Sequence, residues 1–487
     1  MSTTEENTET TTPDEQRDSR KRSIPVRVYD WFDERMGLNE VILPILTHPV
    51  PKAVNWWYVL GSATLTAFIV QVVTGVALAM TYVPSTLSAY QSLQFISTTA
   101  PFGSVVRGMH YWGASAMVVL IALHACRVFL MGSFKYPREV NWLTGSVLFL
   151  LTLAMAFSGQ LLRWDQNAYW SISVGAAQAE RVPVIGPWLG HVVLAGDVIG
   201  GATLTRFFAT HVFLIPALLF GLIGVHLYLV IKDGISEPPV PGKPVRRATY
   251  RREYNRILRE EGEPFFPDSI WKDAVIAVVV VGVILLLAIV VGPSTLDKPP
   301  DPTVIEAYPS PDWCFLSYFA VLALIPRALE TYVIIGAPLL AGVVMLVLPF
   351  AANQGERAPS RRPWAVAAVG FTFTAIVVLT LAGVREPWSP LLGEKKPQAV
   401  PASVLQGAGP DAQHGAQVFV QKDCISCHMI AGVGGNRGPD LTQVGDRLTR
   451  DQLTWRILGG GNNMPAFGGN ISPQDLQDVL TFLQLLK

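Results

Sequence analysis

Residues 107–131, RGMHYWGASAMVVLIALHACRVFLM, and residues 207–231, FFATHVFLIPALLFGLIGVHLYLVI, decide the fold. Each run is apolar and long enough to cross a bilayer. Each also carries two histidines, His110 and His124 in the first, His211 and His226 in the second. A polar ring is expensive in hydrocarbon, so histidines kept there are read as functional. His110 and His124 are fourteen residues apart, a rise of roughly 21 Å that returns to within about 40° of the same helix face. The fifteen residues from His211 to His226 rise roughly 22 Å and overshoot by about 60°, with Pro216 between them to bend the helix. Side by side, two such helices present two facing histidine pairs, one above the other. Each pair can hold a haem iron from both sides through neutral imidazole nitrogens.

Two other apolar segments repeat the interval with glycine, Gly61 and Gly75 in one, Gly145 and Gly159 in the other. A haem is a flat plate too wide to slip between helices with ordinary side chains, and a glycine at each level makes room. Membrane helices are rich in glycine in any case, so either pair alone says little. The match to the histidine interval, made twice, marks all four as haem contacts.

The remainder of the chain fits a polytopic membrane protein. Of 487 residues half are hydrophobic and 15% charged, with mean hydropathy +0.35. The formal net charge of zero gives no sign of a nucleic-acid partner. Seven stretches can span, at 53–83, 107–131, 142–162, 207–231, 274–296, 331–352 and 364–384. Segments on the N-terminal side hold 21 Lys and Arg between residues 17 and 363, and the opposite loops hold 5. The positive-inside rule therefore puts the N-terminus in the cytoplasm and the C-terminal region outside. Residues 1–22 have the composition of a disordered tail and not of a signal peptide. Residues 22–40 suit a helix lying at the cytoplasmic interface, 236–262 a Pro-rich stretch followed by a basic surface helix or linker, and 163–206 short interfacial helices.

Beyond a Pro-rich linker lies a segment of ordinary soluble composition that carries Cys424-Ile-Ser-Cys427-His428. C-x-x-C-H is the pattern of c-type haem attachment, two thioethers with the following histidine on the iron. A redox dithiol or half a zinc site is the alternative, and no second cysteine pair follows to complete the latter. Met464 can reach the other face of the ring, His414 being a weaker candidate. Gly438-Pro439-Asp440-Leu441 is placed to set a backbone carbonyl against the His428 ring nitrogen. Haem c is attached outside the bacterial cytoplasm, which agrees with the charge-based orientation.

The stretches VRVYDWFDER, AVNWWYVLGSATLTAF, RGMHYWGASAMVVLIALHACRVF, FKYPREVNWLTG, RWDQNAYW and LTRFFATHVFLIP closely resemble the cytochrome b subunit of cytochrome b6f and related bc complexes. The fifteen-residue histidine step is similar to the b6 branch. Residues 253–384, with PSPDWCFL, resemble subunit IV, and 404–487 a small class I cytochrome c. The resemblance implies an all-α integral membrane protein of seven transmembrane helices, with a four-helix dihaem bundle and a small all-α cytochrome c domain. Its expected divisions are a tail 1–22, a b6-like domain 23–235, a cytoplasmic linker 236–270, a subunit IV-like domain 271–384, a linker 385–403 and the c domain 404–487.

The resemblance further implies that His110 and His211 hold an outer haem b and His124 and His226 an inner one. It implies a quinol-oxidation pocket at the outer face, built from the 163–206 loop and Pro311-Asp312-Trp313-Cys314. The family motif there is Pro-Glu-Trp-Tyr, so Asp312 is a shorter carboxylate and Cys314 replaces a phenol. Asp312 can take the proton that quinol oxidation releases, and as a residue that also caps a helix it can serve both ends. The Pro-Asp-Trp variant resembles menaquinone-using complexes. Val59 stands where b6 has the cysteine that holds an extra haem, so no thioether forms there. Lys232 is either a contact to quinone or propionate or a snorkelling cation. Arg107 and Arg127 suit haem propionates or interfacial anchoring. Cys126 reads as a small core residue, and His48 and His191 as interfacial or core histidines.

The expected activity is that of a quinol:cytochrome c oxidoreductase subunit in the bacterial cell membrane, with two haems b, one covalent haem c, and quinol and quinone as substrates. One electron would pass to a Rieske iron–sulfur protein and the other across the membrane. A Rieske centre needs two cysteines and two histidines, and the four cysteines here are already placed, so that protein is a separate chain. Further expected partners are the quinone pool, a downstream cytochrome c or terminal oxidase, membrane lipids and a second copy of the chain. The rivals are a dihaem b anchor that passes quinol electrons to another enzyme without bifurcation, and a seven-helix transporter with a redox-sensing c domain.

Overall fold

The computed structural model describes residues 23–301, 310–385, 399–435, 438–460, 464, 466–468 and 470–487, without the side chains of 41, 327 and 385. Seven helices within it are long and apolar enough to cross a membrane: Trp56–Ala79, Gly103–Leu130, Glu139–Leu161, Gly201–Asp233, Phe265–Val290, Ala328–Ala351 and Pro363–Val384, the first to seventh spans below. Each of the seven expected stretches contains one of these helices, the fifth stopping at Val290, short of the expected 296. The first opens at Trp56 and not at 53, because Asn55 caps its opening turn by accepting from Trp57 N (3.1 Å), and it ends at Ala79, short of the expected 83.

The first five spans share one apolar core. Ala63 and Ala67 (first), Met117 and Ile121 (second), Leu148 (third), Ile215 and Leu219 (fourth) and Val280 and Ile284 (fifth) are buried together. Small residues permit this closeness: a Cβ on Gly108 would lie 3.0 Å from Ala288 Cα, where the second and fifth spans cross. The outer faces of these helices leave large apolar side chains exposed, Val278 and Leu286 of the fifth span among them, as lipid contact requires.

The fourth span begins six residues before the expected 207 and contains a wide turn, Thr210–Leu214, in which Ile215 N–H reaches Thr210 O. Pro216, next along, has no N–H and its ring crowds the carbonyl four residues back, so the ladder shifts to a five-residue step. The extra residue takes up about 100° of rotation, which offsets the overshoot of the fifteen-residue histidine step. The expected proline bend is thus a π-turn, and it holds His211 itself.

At the end of the bundle expected to face the cytoplasm, the cations that set the expected topology are also clamps. Lys135 Nζ donates to Ala352 O (2.5 Å) and Gln354 O (2.6 Å). Buried Arg138 donates to Gly234 O (2.8 Å) and Tyr250 Oη (2.7 Å). Arg357 pairs with Glu237 at 2.5 Å. Burial draws the Lys135 ammonium down to about 8, helped by Arg362 and Arg357. The interfacial helix expected over 22–40 is two helices, Ile24–Met36 and Leu38–Thr47, broken at Gly37 with φ +62°. The stretch expected as a basic helix or linker is irregular, with turns at 241–242 and 247–249, up to the helix Tyr250–Glu261. Residues 262–264 then pair antiparallel with 49–51, Val50 opposite Glu263.

At the opposite end the 163–206 loop folds into the helices Gln166–Glu180 and Gly186–Leu194, and a twelve-residue helix, Trp313–Leu324, follows the Pro311-Asp312 pair. In the C-terminal segment the helices Pro410–Gln421 and Pro473–Leu485 cross at Gly415, where a Cβ would meet Asp478 O at 2.0 Å. Phe419 and Phe482 meet edge to face beside the crossing, centroids 5.7 Å apart.

Candidate haem and quinol sites

Each of the four interval glycines faces one of the four histidines. A Cβ on Gly75 would lie 3.1 Å from His110 Cε1, on Gly159 2.7 Å from His211, on Gly61 3.3 Å from His124 and on Gly145 3.3 Å from His226. The first span thus seats the second span's histidines and the third span seats the fourth's.

Hydroxyls fix the tautomers. Thr74 Oγ1 lies 2.9 Å from His110 Nδ1, Ser158 Oγ 3.0 Å from His211 Nδ1 and Thr144 Oγ1 2.9 Å from His226 Nδ1. Each hydroxyl spends its own proton on a carbonyl of its helix, Thr74 on Val70 (2.6 Å), Ser158 on Ala154 (2.8 Å) and Thr144 on Asn141 (2.9 Å). It is left as an acceptor, so Nδ1 carries the imidazole proton and Nε2 keeps a bare lone pair. A metal ligand needs that form. The sequence reading missed these hydroxyls, although each stands one residue before its glycine. At the fourth place the preceding residue is Leu60, and buried His124 Nδ1 has no hydrogen-bond partner.

Geometry agrees with the donor chemistry. The His110 and His211 ring centroids are 6.3 Å apart with planes at 76°. An iron taking a nitrogen on each side at about 2 Å, with each ring centre about 1 Å further back, needs roughly 6 Å. The glycines give the rings room to stand at that spacing, and with bare Nε2 lone pairs turned to one another these residues fit a flat metal macrocycle. Arg127 stacks on the Tyr58 ring (3.6 Å to the centroid) and its buried Nε is without a partner, a donor to spare for a propionate. Arg107 is tied instead to Ser97 Oγ (2.9 Å) and Ser294 O (2.7 Å), on segments outside its own helix.

In the C-terminal segment Cys424–Cys427 forms one short helical turn and His428 follows it. His428 Nδ1 lies 2.9 Å from Pro439 O, the contact expected of the Gly438-Pro439 stretch, and a Cβ on Gly438 would come within 2.6 Å of the ring's Nδ1. Burial lowers the His428 imidazole below its ordinary range, the Pro439 carbonyl opposing it. Met464 packs against the segment's apolar core and also lines a cavity with Tyr169, Trp170 and Leu194 of the outer loop. His414 Nδ1 is engaged by Asp478 Oδ2 at 2.7 Å.

The Pro311-Asp312-Trp313 segment is held at the level of the His110–His211 pair. Asp312 N donates to Gln160 Oε1 (3.0 Å), next to Gly159, and Trp313 Nε1 to Ser115 Oγ (3.1 Å), five residues past His110. Asn167 pins Ser310 through both its N–H and its carbonyl, at 3.0 Å each. Phe157 and Phe315 meet edge to face at 6.1 Å. Asp312 stands at the N-cap of its helix, but its side chain makes no cap bond. Its carboxylate lies 3.8 Å from Arg163 Nη1, and burial raises its pKa against the pull of Arg163. Arg163 and Gln160 were also absent from the sequence-derived site.

The remaining expected positions are peripheral. Lys232 is exposed, 5.9 Å over the Tyr228 ring. Val59 is buried at the head of the first span, and Cys126 is half-buried. His48 stacks on Phe265 at 5.0 Å and His191 meets Asp197 at 3.3 Å.

Family models agree with this arrangement. Residues 45–234 match "Cytochrome b/b6/petB", 299–393 match "Cytochrome b(C-terminal)/b6/petD" and 410–483 match "Cytochrome C oxidase, cbb3-type, subunit III". The menaquinol:cytochrome c reductase cytochrome b subunit of Bacillus subtilis is 42% identical over 221 residues, 44% of this chain and 98% of that protein. Cytochrome b6 of Synechococcus elongatus is 40% identical over 212 residues, 44% and 99% of the two chains. A solved hyperthermophilic respiratory Complex III superposes with TM-score 0.62 at 26% identity, covering 74% of this chain and 91% of that one. With those relatives aligned along nearly their whole length, a petD-type half and a C-terminal cytochrome c domain following, the chain belongs to the cytochrome b/b6 family of bc complexes.

Proposed function

We propose that this chain is the membrane subunit of a menaquinol:cytochrome c reductase that oxidises quinol at the outer face and splits its two electrons. One goes by a separate Rieske protein to the chain's own c domain, the other crosses the membrane between the two histidine levels. The observation that carries this is the fourfold seat: four glycines against four buried histidines, with three hydroxyls holding Nδ1–H. His110 with His211 and His124 with His226 would hold haems b, and Cys424, Cys427, His428 and Met464 a covalent haem c. Bound haem supplies one-electron chemistry that no side chain here has.

The chain's own residues do the rest. Asp312 takes a quinol proton at its carboxylate, Pro311 and Trp313 set its position, and the Phe157–Phe315 pair keeps water from the reacting oxygen. Arg127 neutralises a propionate at the inner level, and Arg107 holds the outer loops over the pocket. The divisions 23–235, 236–270, 271–384 and 404–487 carry these tasks in turn, with the c domain outside and the clamped cations in the cytoplasm. Menaquinol is favoured by the Pro-Asp-Trp-Cys departure and by the name of the Bacillus relative.

The test is to remove the iron–sulfur protein from purified complex and add menaquinol. Reduction of haem c should stop, and it should return on adding the protein back. Undiminished haem c reduction without it would contradict the bifurcated route and favour a simple dihaem anchor.

A further inference from the structure

Arg163 lies two residues past the third span, with its side chain 15% exposed between two carboxylates. Nη1 is 3.8 Å from Asp312 Oδ1 and Nε 3.7 Å from Asp165 Oδ2. Both separations exceed a hydrogen bond, and the buried Nε and Nη2 have no hydrogen-bond partner. Leaving guanidinium donors idle in a dry place is costly. Asp165 is otherwise committed, Oδ1 accepting from Ala168 N (2.8 Å) and Oδ2 from Asp297 N (3.2 Å). The Asp312 carboxylate has no such duty, since it does not cap its helix. The fork is therefore backed by Asp165 at Nε and turned to Asp312 at Nη1.

We propose that Arg163 is a substrate-binding residue of the quinol pocket: its idle donors take the oxygen of a bound quinol whose hydroxyl proton passes to Asp312. This rests on reading the pocket as the quinol-oxidation site. In the step the quinol O–H bond breaks and an O–H bond forms on the Asp312 carboxylate. The electron pair stays on the quinol oxygen, so a neutral quinol and a carboxylate become a quinol monoanion and a carboxylic acid. The negative charge moves from one neighbour of the guanidinium to another, and the contact to quinol strengthens as the anion forms. Arg163 also opposes the burial that raises Asp312. The other groups facing Asp312 are Asp165, Tyr111 of the second span and Cys314 on its own helix. Glu330 of the sixth span faces Tyr318, further along that helix. The seventh span, packed on the same helix, has no acidic or basic residue from 364 to 384.

The experiment uses the assembled complex in membranes with a short-chain menaquinol, comparing R163Q, R163K and D312N by KM, by the pH profile of quinol oxidation and by haem b content. R163Q should raise KM about tenfold or more and move the acid limb upward by about one pH unit. R163K keeps the charge and loses the fork, so its limb should stay while KM rises several-fold. Wild-type KM and an unmoved limb in R163Q, beside a slow D312N, would overturn the assignment of Arg163 alone. A D312N enzyme of wild-type rate would overturn the reading of the pocket itself. Should R163Q lose its haem b, R163K decides: a raised KM supports the fork and an unchanged KM overturns it.

Discussion

Replacing Gly159 by alanine places a methyl carbon 2.7 Å from His211 Cε1, where two carbons prefer about 3.5–4.0 Å. The ring must retreat by close to an ångström, yet Ser158 holds its Nδ1 at 3.0 Å and the π-turn fixes its backbone. Overpacking of this kind costs about 1–3 kcal/mol, equivalent to about five- to 150-fold in affinity for whatever the His110–His211 pair binds. The same change at Gly61 or Gly145 leaves 3.3 Å, a gap that a few tenths of an ångström of relaxation fills. G159A should therefore lose most of the outer haem b, G75A, at 3.1 Å, should be intermediate, and G61A and G145A should keep the inner one. Redox titration of the b-type absorption in purified variants, which separates the two haems by potential, reads this directly. Equal loss in G159A and G61A, or loss of the inner haem in G159A, would contradict the close seating of His211 on Gly159.

S158A and T74A remove the acceptor of the imidazole proton, which should weaken outer haem retention by about 1–3 kcal/mol in a haem-loss assay under mild denaturant, whereas L60S, which offers His124 a partner, should slow loss of the inner haem. Quinol oxidation needs Asp312 ionised, and burial sets its pKa above the ordinary carboxylate range. The rate should therefore fall as pH drops through that raised value, and D312N should be slow at every pH without an acid limb of this origin. G415A drives a methyl into Asp478 O, a backbone atom that cannot step aside, so thermal unfolding of the C-terminal segment should come several degrees lower while b-haem spectra stay as in the parent.

The parts of this molecule that the sequence disclosed are those where chemistry repeats at helical intervals. The histidine and glycine steps, the C-x-x-C-H run and the seven apolar stretches are local patterns, and helix geometry turns them directly into levels and faces. What stayed hidden depends on contacts between distant segments. Arg163 meets Asp312 and Gln160 meets the Asp312 backbone only because the third span ends beneath the helix Trp313–Leu324. The π-turn at His211 is a middle case: Pro216 announced a disturbance, but whether it becomes a kink or a wide turn is settled by the hydrogen-bond ladder around it. Thr74, Thr144 and Ser158 were within reach, since a hydroxyl directly before each of three glycines is a pattern in itself. The cations counted for topology proved to have a second task as buried clamps, which a charge count does not disclose.

Four histidines holding two exchangeable haems and a C-terminal segment holding one covalently would fix the haem stoichiometry of the chain. Pyridine haemochrome spectra of the purified chain, before and after acid–acetone extraction, count it. Two extractable haems b to one retained haem c is the predicted result. Fewer than two extractable haems, or a second retained one despite Val59, would contradict it.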